Sequence, residues 1–220
     1  MLQSINLGKV RYADGLSTQT EHHNKVLNGN DGVILLCEHF PVYTFGKSAN
    51  KNNLLINEAF QKQIGAEVFE TERGGDITFH GPGQLVGYPI LNLRSNRVGV
   101  KSYVETLESA LILGLKDFNI EAYQIPGLTG IWVGKECEVQ RKIGAIGIRV
   151  KNGVSMHGFA LNVSTDLTYF NHIVPCGITD KSVTSIEQEV GTTLLKDYSQ
   201  RFVFHFNKLW TNLLALQATI

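Results

Sequence analysis

The chain has 220 residues and carries 20 Lys+Arg against 20 Asp+Glu, so its formal net charge is zero. Hydrophobic residues make up 43% and charged residues 18%, which is typical of a folded globular protein and excludes a disordered one. The neutral balance excludes a nucleic-acid binder that relies on bulk positive charge. No apolar run reaches the roughly 18 residues that a membrane-spanning helix needs.

The cysteines and the start of the chain indicate a reducing compartment. Residues 1–15 lack the basic flank and apolar core of a signal peptide. Three scattered cysteines, Cys37, Cys137 and Cys176, are too few for a disulfide framework. No CxxC or HExxH spacing occurs, so no metal site is expected. We expect a cytoplasmic, monomeric protein with free thiols.

The first half of the chain alternates helices and strands. Residues 12–27 and 57–64 predict helices, the second capped by Asn57. Ser102 to Glu105 has the pattern of a capping box, which predicts a helix with one apolar face formed by Val104, Leu107, Leu111 and Leu115. Short apolar or alternating runs predict strands at 32–37, 42–45, 68–71 and 85–91.

The second half is richer in strands and ends in a helix. Strands are predicted at 130–133, 142–150 and 157–163, and Ser185 with Gln188 predicts a short helix. The C-terminal helix, about 194–216, carries a core-facing stripe of Leu195, Tyr198, Phe202, Phe206, Leu209 and Leu213. With no repeat, linker or strict βαβ alternation, the prediction is one α+β domain over 1–220, a mixed β-sheet flanked by helices.

A glycine-rich segment at 73–84 is the first candidate for chemistry. Its four glycines let the backbone approach a ligand closely or turn with positive φ. Arg73 brings a positive charge, His80 can transfer a proton, and amides between Gly75 and Gly83 could bind an oxyanion. A tight turn between two strands is an equally good interpretation. The spacing fits neither a P-loop nor a dinucleotide fingerprint.

The second candidate is Lys142, at the start of the predicted strand 142–150 and within a basic segment at 141–151 that holds four positive charges and no negative one. A lysine at a strand end is usually solvated. The functional alternative is a lysine in a partly dry site, where its ammonium pairs with an anion.

The third candidate is Cys176, which stands between Pro175 and Gly177 on a constrained turn. Free cysteines are more often inert and buried, as predicted for Cys37 within an apolar strand. Cys137, between two glutamates, is expected to be exposed and protonated. Only Cys176 has the setting of a nucleophile.

Together these segments resemble a known family. RGGDITFHGPGQ at 73–84, RKIGAIGIRV at 141–150 with HGFALNV at 157–163, and VPCGI at 174–178 are similar to the lipoyl(octanoyl) transferases, of the biotin/lipoate protein ligase catalytic-domain superfamily. The resemblance runs through about residues 32–191 with all blocks in order. Asp76 and Phe79 stand where the family commonly has Gln and Tyr, and both are interpreted as tolerated variation.

The resemblance implies an activity and its partners. The family moves an octanoyl group from octanoyl-acyl carrier protein to a lysine of apo lipoyl domains, those of 2-oxoacid dehydrogenase complexes and of the glycine cleavage H protein, in lipoate biosynthesis. No cofactor is expected, because a thioester is already activated. The family's Cys–Lys dyad falls on Cys176 and Lys142. Its acyl-site segments fall on Arg73, Gly74, Gly75, Asp76, Ile77, Thr78, Phe79 and His80, on Ala145, Ile146 and Gly147, and on Gly158, Phe159 and Ala160.

Several side chains have expected roles in activating the Cys176 thiol or in binding the substrates. A nearby Lys142 ammonium would lower the pKa of the Cys176 thiol, whereas His80 is a rival base for the same thiol. His157 and His172 are weaker candidates for that base and are expected to be structural. Phe79 and Phe159 are expected to line the acyl channel, and the four positive charges of 141–151 to dock an acidic carrier. Two alternative functions remain: an ATP-dependent lipoate- or biotin-protein ligase on the same scaffold, and a non-catalytic acyl-binding module.

Overall fold

The computed structural model describes residues 1–134, 139–174, 182–192 and 194–218. Cys137 and Cys176, with the turn around Cys176, lie outside the described residues. Within them the helices are α1 (Tyr12–Leu27), α2 (Glu58–Gln63), α3 (Val100–Lys116), α4 (Ile186–Val190) and α5 (Leu195–Ala218). The strands are β1 (Gln3–Val10), β2 (Val33–His39), β3 (Val42–Phe45), β4 (Glu67–Glu70), β5 (Thr78–His80), β6 (Gln84–Ile90), β7 (Ala122–Ile125), β8 (Leu128–Val133), β9 (Arg141–Lys151), β10 (Val154–Asn162) and β11 (Ser182–Val183).

The strands form one large and one small mixed sheet. The large sheet has eight strands in the order β1-β2-β6-β10-β9-β8-β7, with β11 also paired to β9. Its β1–β2 and β11–β9 pairs are parallel and the others antiparallel. The small sheet has the order β4-β3-β5. The predicted α+β fold with a mixed sheet flanked by helices is confirmed.

Strand β2 begins with an uninterrupted apolar run because both of its faces are buried. Ile34 and Leu36 belong to the core that α3 and α5 cover, and Leu35 and Cys37 belong to the core beside α1. Because both faces of the sheet are covered, both sets of side chains are removed from water. Burying each large apolar side chain contributes about 1.5–3 kcal/mol. Cys37 is therefore a buried core thiol, as predicted.

The apolar stripe of α5 packs into the main core. Tyr198, Phe202 and Phe206 have no exposed surface, and the Tyr198 hydroxyl donates to the Leu111 carbonyl of α3 at 2.8 Å. The predicted core role of this stripe is confirmed. Among the described residues, every helix lacks the combination of length and hydropathy needed to cross a bilayer.

The predicted capping box at the start of α3 is wrong. The helix begins at Val100 after Gly99, and no side chain caps it. Ser102 therefore lies inside the first turn, where its side chain cannot occupy the capping position. The buried face begins with Tyr103, which is fully buried, whereas Val104 is only half-buried. The other two predicted caps are confirmed, since the Ser185 hydroxyl accepts from the Gln188 amide at 3.2 Å and the Asn57 side chain accepts from the Phe60 amide at 2.9 Å.

A cluster of buried aromatic side chains joins the two sheets. The Tyr12 ring lies 5.3 Å from the His39 ring and 6.2 Å from the His80 ring. Burial lowers the pKa of His80 to about 3 and of His157 to about 4, and it also lowers the pKa of His39. Positive charge on Arg73 acts in the same direction on His80 and His157. All three imidazoles are neutral at physiological pH.

These histidines predict loss of stability in acid. The unfolded chain takes up protons as the pH falls below about 6.5, whereas the folded chain does so only near pH 3 to 4, so acid favours unfolding. Each histidine contributes up to about 1.4 kcal/mol per pH unit in that window. We expect the free energy of unfolding, measured in urea between pH 7.5 and 4.5, to depend less steeply on pH in His157→Asn, by the equivalent of about one proton. Asn tolerates the φ of 57° found at His157. An unchanged slope would show that His157 does not titrate in this way.

Candidate active site

A cavity of about 370 Å³ lies between two walls, with strands β9 and β10 on one side and the loop before β5 on the other. Its lining brings together Lys142 and most of the predicted acyl-site residues. The predicted residues that line it are Arg73, Gly75, Asp76, Ile77, Thr78, His80, Ala145, Ile146, Gly147, Gly158, Phe159 and Ala160. Gly74 and Phe79 are not part of the lining, and Cys176 lies outside the described residues.

One wall of the cavity depends on backbone contacts that only glycine permits. The Gly74 amide donates to the Ile148 carbonyl of β9 at 2.9 Å. A Cβ at Gly147 would lie 2.9 Å from the Gly74 oxygen, and one at Gly158 would lie 2.2 Å from the Gly87 oxygen. A side chain at either position would force the backbone apart. Gly74 thus helps to hold the wall together, although it does not face the cavity.

The loop that forms this wall is fastened to the segment after β3. The Lys47 and Ser48 amides donate to the carbonyls of Arg73 and Gly75, at 2.9 and 3.1 Å. The Asp76 carboxylate accepts from its neighbour's amide and, at 2.7 Å, from the Asn53 side chain. Asp76 therefore has a structural role here.

Arg73 and His80 meet at the Thr44 side chain. The Arg73 guanidinium donates to the Thr44 hydroxyl through Nε and Nη2, at 3.2 and 3.0 Å, and to the Gly74 carbonyl. With its oxygen accepting from Arg73, the Thr44 hydroxyl donates its proton to His80 Nε2 at 3.3 Å. Part of the Arg73 charge is thereby committed to the protein scaffold.

The other ring nitrogen of His80 is also engaged. The Gln84 amide group donates to the Phe79 carbonyl and to Asn162 Oδ1, so its oxygen is the acceptor toward His80 Nδ1 at 2.8 Å. His80 therefore carries its proton on Nδ1. With a pKa of about 3 and both nitrogens bonded, His80 is poorly suited to be the base for a thiol.

The same chain of hydrogen bonds reaches the strand that carries Lys142. Asn162 Nδ2 donates to the Thr184 carbonyl, and the Thr184 amide donates to the Lys142 carbonyl, both at 3.0 Å. The glycine-rich loop and the Lys142 backbone are thus connected through buried side chains. Of the loop amides proposed for an oxyanion, those of Ile77 and Gly83 already donate to carboxylates.

Lys142 is half-buried and lines the cavity. Its Nζ lies 5.1 Å from the ring centroid of Trp132 on β8. On its other side, Ser182 and Val183 of β11 pair with Arg141 and Lys142. Lys142 is thus partly shielded from water, which favours a lysine in a partly dry site over a lysine at a solvated strand end.

Phe79 does not line the cavity, contrary to expectation. Its ring is buried in the small-sheet core, stacked 4.5 Å from Tyr169 and 5.4 Å from Tyr43. Strand alternation turns it away from the cavity, whereas its neighbours Thr78 and His80 face it. Phe159 does line the cavity, with its ring 4.3 Å from Phe202 of the main core.

The strand at 141–151 does not present four uncompensated charges. Arg141 donates to the Glu189 carboxylate through both Nε and Nη2 at 2.9 Å, which lowers the pKa of Glu189. Arg149 forms an ion pair with Glu72, and Lys142 faces the cavity. Two of the four positive charges expected to dock an acidic carrier are thus paired within the chain, and docking of the carrier on this strand stays a prediction.

Several lining residues were missed by sequence reasoning. They include Tyr12, Trp132 and Asn162, whereas Gln84 belongs to the candidate segment 73–84 and His157 was a weaker candidate base. The strand containing Trp132 was predicted, but its register against Lys142 is a tertiary property. His157 stood beside the predicted Gly158, and its left-handed backbone within a strand leaves no mark in the sequence. Among the described residues, no cluster of three or more His, Cys, Asp or Glu side chains is placed to hold a metal ion.

Comparison with known proteins gives close sequence relatives. An octanoyltransferase of Cytophaga hutchinsonii is 53% identical over 179 residues, which cover 79% of this chain and 72% of that protein. An octanoyltransferase of Alkaliphilus metalliredigens is 47% identical over 192 residues, 86% of each chain.

Solved structures with the same fold are more distant in sequence. Lipoate-protein ligase A bound with ATP aligns with a TM-score of 0.79 at 15% identity, over 96% of this chain and 85% of that one. Biotin protein ligase from Aquifex aeolicus gives 0.55 at 12% identity, over 98% and 72%. These likenesses concern the fold alone. Residues 11–207 match the family described as the lipoyl protein ligase A/B catalytic domain. The chain therefore belongs to the lipoyl protein ligase A/B catalytic-domain family.

Proposed function

We propose that this chain is an octanoyltransferase that moves an octanoyl group from octanoyl-acyl carrier protein to a lysine of a lipoyl domain. The observation that carries the proposal is a largely apolar cavity with the Lys142 side chain in its wall, in a chain that is 45–53% identical to octanoyltransferases. The proposed nucleophile is Cys176, six positions before Ser182, which pairs with the neighbour of Lys142.

The first step forms an acyl-enzyme. The Cys176 thiolate attacks the carbonyl carbon of the carrier thioester, and the bond from that carbon to the carrier sulfur breaks. The Lys142 ammonium gives its proton to the departing carrier thiolate and becomes a neutral amine. Before the attack, the same ammonium stabilises the Cys176 thiolate, which an isolated thiol with a pKa of about 8.5 populates only to a few per cent at neutral pH.

The second step transfers the acyl group. The neutral amine of the acceptor lysine attacks the Cys176 thioester, and the bond from the carbonyl carbon to Cys176 Sγ breaks. Lys142 takes the proton that the new amide loses and returns to the ammonium form. Atoms and charges balance over the two steps, and neither step consumes a nucleotide.

The cavity suits an unbranched acyl tail. Ile146, Phe159 and Ala160 give it apolar surface along β9 and β10. Burying six methylenes at ~0.8 kcal/mol each contributes roughly 5 kcal/mol before ordering costs. The proposed acceptors are the lipoyl domains of 2-oxoacid dehydrogenase complexes and the glycine cleavage H protein.

An ATP-free transfer assay tests the function. The protein is incubated with octanoyl-carrier and an apo lipoyl domain, and intact masses are followed. We expect a transient octanoyl adduct on this chain and then an octanoyl gain on the domain. Cys176→Ser should lose both. An absolute requirement for ATP would instead indicate a ligase, and binding without transfer would indicate an acyl-binding module.

The rates of Cys176 alkylation test which group activates the thiol. We expect Lys142→Ala to raise the apparent pKa of Cys176, because the thiolate loses its ammonium partner. His80→Ala should leave that pKa near the wild-type value, since neutral His80 has both ring nitrogens bonded. Alkylation by iodoacetamide across pH 5–10, with the peptide identified by mass, measures it. A raised pKa in His80→Ala alone would make His80 the base.

A further inference from the structure

Lys142 and Trp132 lie opposite each other because β9 contains an irregularity. The register runs from Ile131↔Gly144 to Trp132↔Lys142, so β9 has one more residue than β8 between these pairs. That residue is Ile143, which is fully buried in the main core. Such bulges re-aim neighbouring side chains. In an uninterrupted antiparallel register, Trp132 would pair with Ile143 and not with Lys142.

The Trp132 ring is held in place from both sides. It is 2% exposed, its Nε1 donates to the Leu128 carbonyl at 3.3 Å, and its face lies 5.1 Å from the Lys142 Nζ. A cation at this distance from an indole face is attracted by the ring quadrupole. A neutral amine gains far less from the same face.

Gly130 supplies the room through which the lysine stem passes. A Cβ at Gly130 would lie 2.4 Å from Lys142 Cε and 3.1 Å from Nζ, and the φ of 132° also favours glycine. The Gly130 amide donates a hydrogen bond to the Glu108 side chain of α3. The stem of Lys142 is therefore confined between an anchored glycine and an anchored ring.

We propose that Trp132 is the positioning residue that holds the Lys142 side chain as an ammonium in the cavity wall, with Gly130 providing the space for its stem. Its catalytic consequence rests on the function proposed above. Trp132 then favours the ammonium form of Lys142, which stabilises the Cys176 thiolate and protonates the departing carrier thiolate. It opposes the neutral form that accepts a proton in the second step.

The charged groups around Lys142 come from several elements. On β9 the neighbour is Arg141, which is ion-paired with Glu189 of α4. Glu108 approaches from α3 through Gly130, and burial raises its pKa, with Glu105 acting in the same direction. The described part of β11 brings Ser182 and Val183, which do not titrate in this range, and β10 brings Asn162 and His157. The opposite wall of the same cavity carries Arg73, Asp76 and His80.

The pKa of Lys142 can be measured without relying on activity. Wild type, Trp132→Phe and Trp132→Leu are labelled with acetic anhydride across pH 6–11, and the Lys142 peptide is quantified by mass. We expect the pKa to fall by about 0.5–1.5 units in Trp132→Leu and by less in Trp132→Phe, which keeps a ring face. With octanoyl-carrier, the alkaline limb of kcat/KM should move in parallel, and kcat should change more than KM.

Matched controls separate this role from ordinary packing. Trp210→Leu removes the other tryptophan, which is buried beside Phe206 and is not part of the cavity lining, and should lower Tm without moving the Lys142 pKa. Gly130→Ala should change Lys142 labelling. Gly29→Ala, also at positive φ but with nothing within 4 Å of its Cβ, should not.

The outcomes are distinguishable. Identical Lys142 pKa values in wild type, Trp132→Phe and Trp132→Leu would overturn the inference even if octanoyl transfer proceeds. Absence of ATP-free transfer in wild type would overturn the proposed function, while the labelling result would still decide the role of Trp132.

Discussion

The close backbone approach between Gly74 and Gly147 is the constraint on which the cavity depends. The small sheet and its loop can form a wall over the large sheet only if two main chains pass within hydrogen-bond distance, as the 2.9 Å bond from Gly74 to Ile148 requires. Any side chain at Gly147 would meet the Gly74 oxygen. The glycines at these positions are therefore a requirement of the site, since they must bring backbone to backbone.

Buried polar side chains then give that wall a fixed position. Thr44, His80, Gln84 and Asn162 are each at least nine-tenths buried, and each is hydrogen-bonded to the next. A buried polar group left without a partner costs about 1–3 kcal/mol. The chain of bonds consequently resists any shift of the Arg73 loop relative to the strands. The low pKa of His80 follows from its burial in this arrangement, and the nearby Arg73 charge acts in the same direction.

Local patterns predicted the elements that are stabilised locally or buried on both faces. Helix α1 has the predicted bounds, and β2 followed from an uninterrupted apolar run. The edge strand β1 was missed because its residues are mostly exposed or half-buried and lack a continuous apolar run. In the site, the glycine-rich blocks and Lys142 were candidates from residue type, and the family resemblance selected them over the structural alternatives. Trp132 was not, because its partnership with Lys142 depends on one extra residue in β9, and register is fixed by the assembled sheet.

The proposed mechanism places two opposing demands on the Lys142 side chain. Stabilising a thiolate and protonating a leaving thiol need an ammonium, whereas receiving the acceptor lysine's proton needs an amine. The face of Trp132 favours the cation, and partial burial of the stem disfavours it. Because the two effects have opposite signs, the balance between them sets how readily Lys142 changes form. Arg141 is neutralised by Glu189, so its charge adds little repulsion to the ammonium. In the proposed mechanism, this balance keeps the lysine charged before the acyl group arrives and leaves its proton available to the departing sulfur.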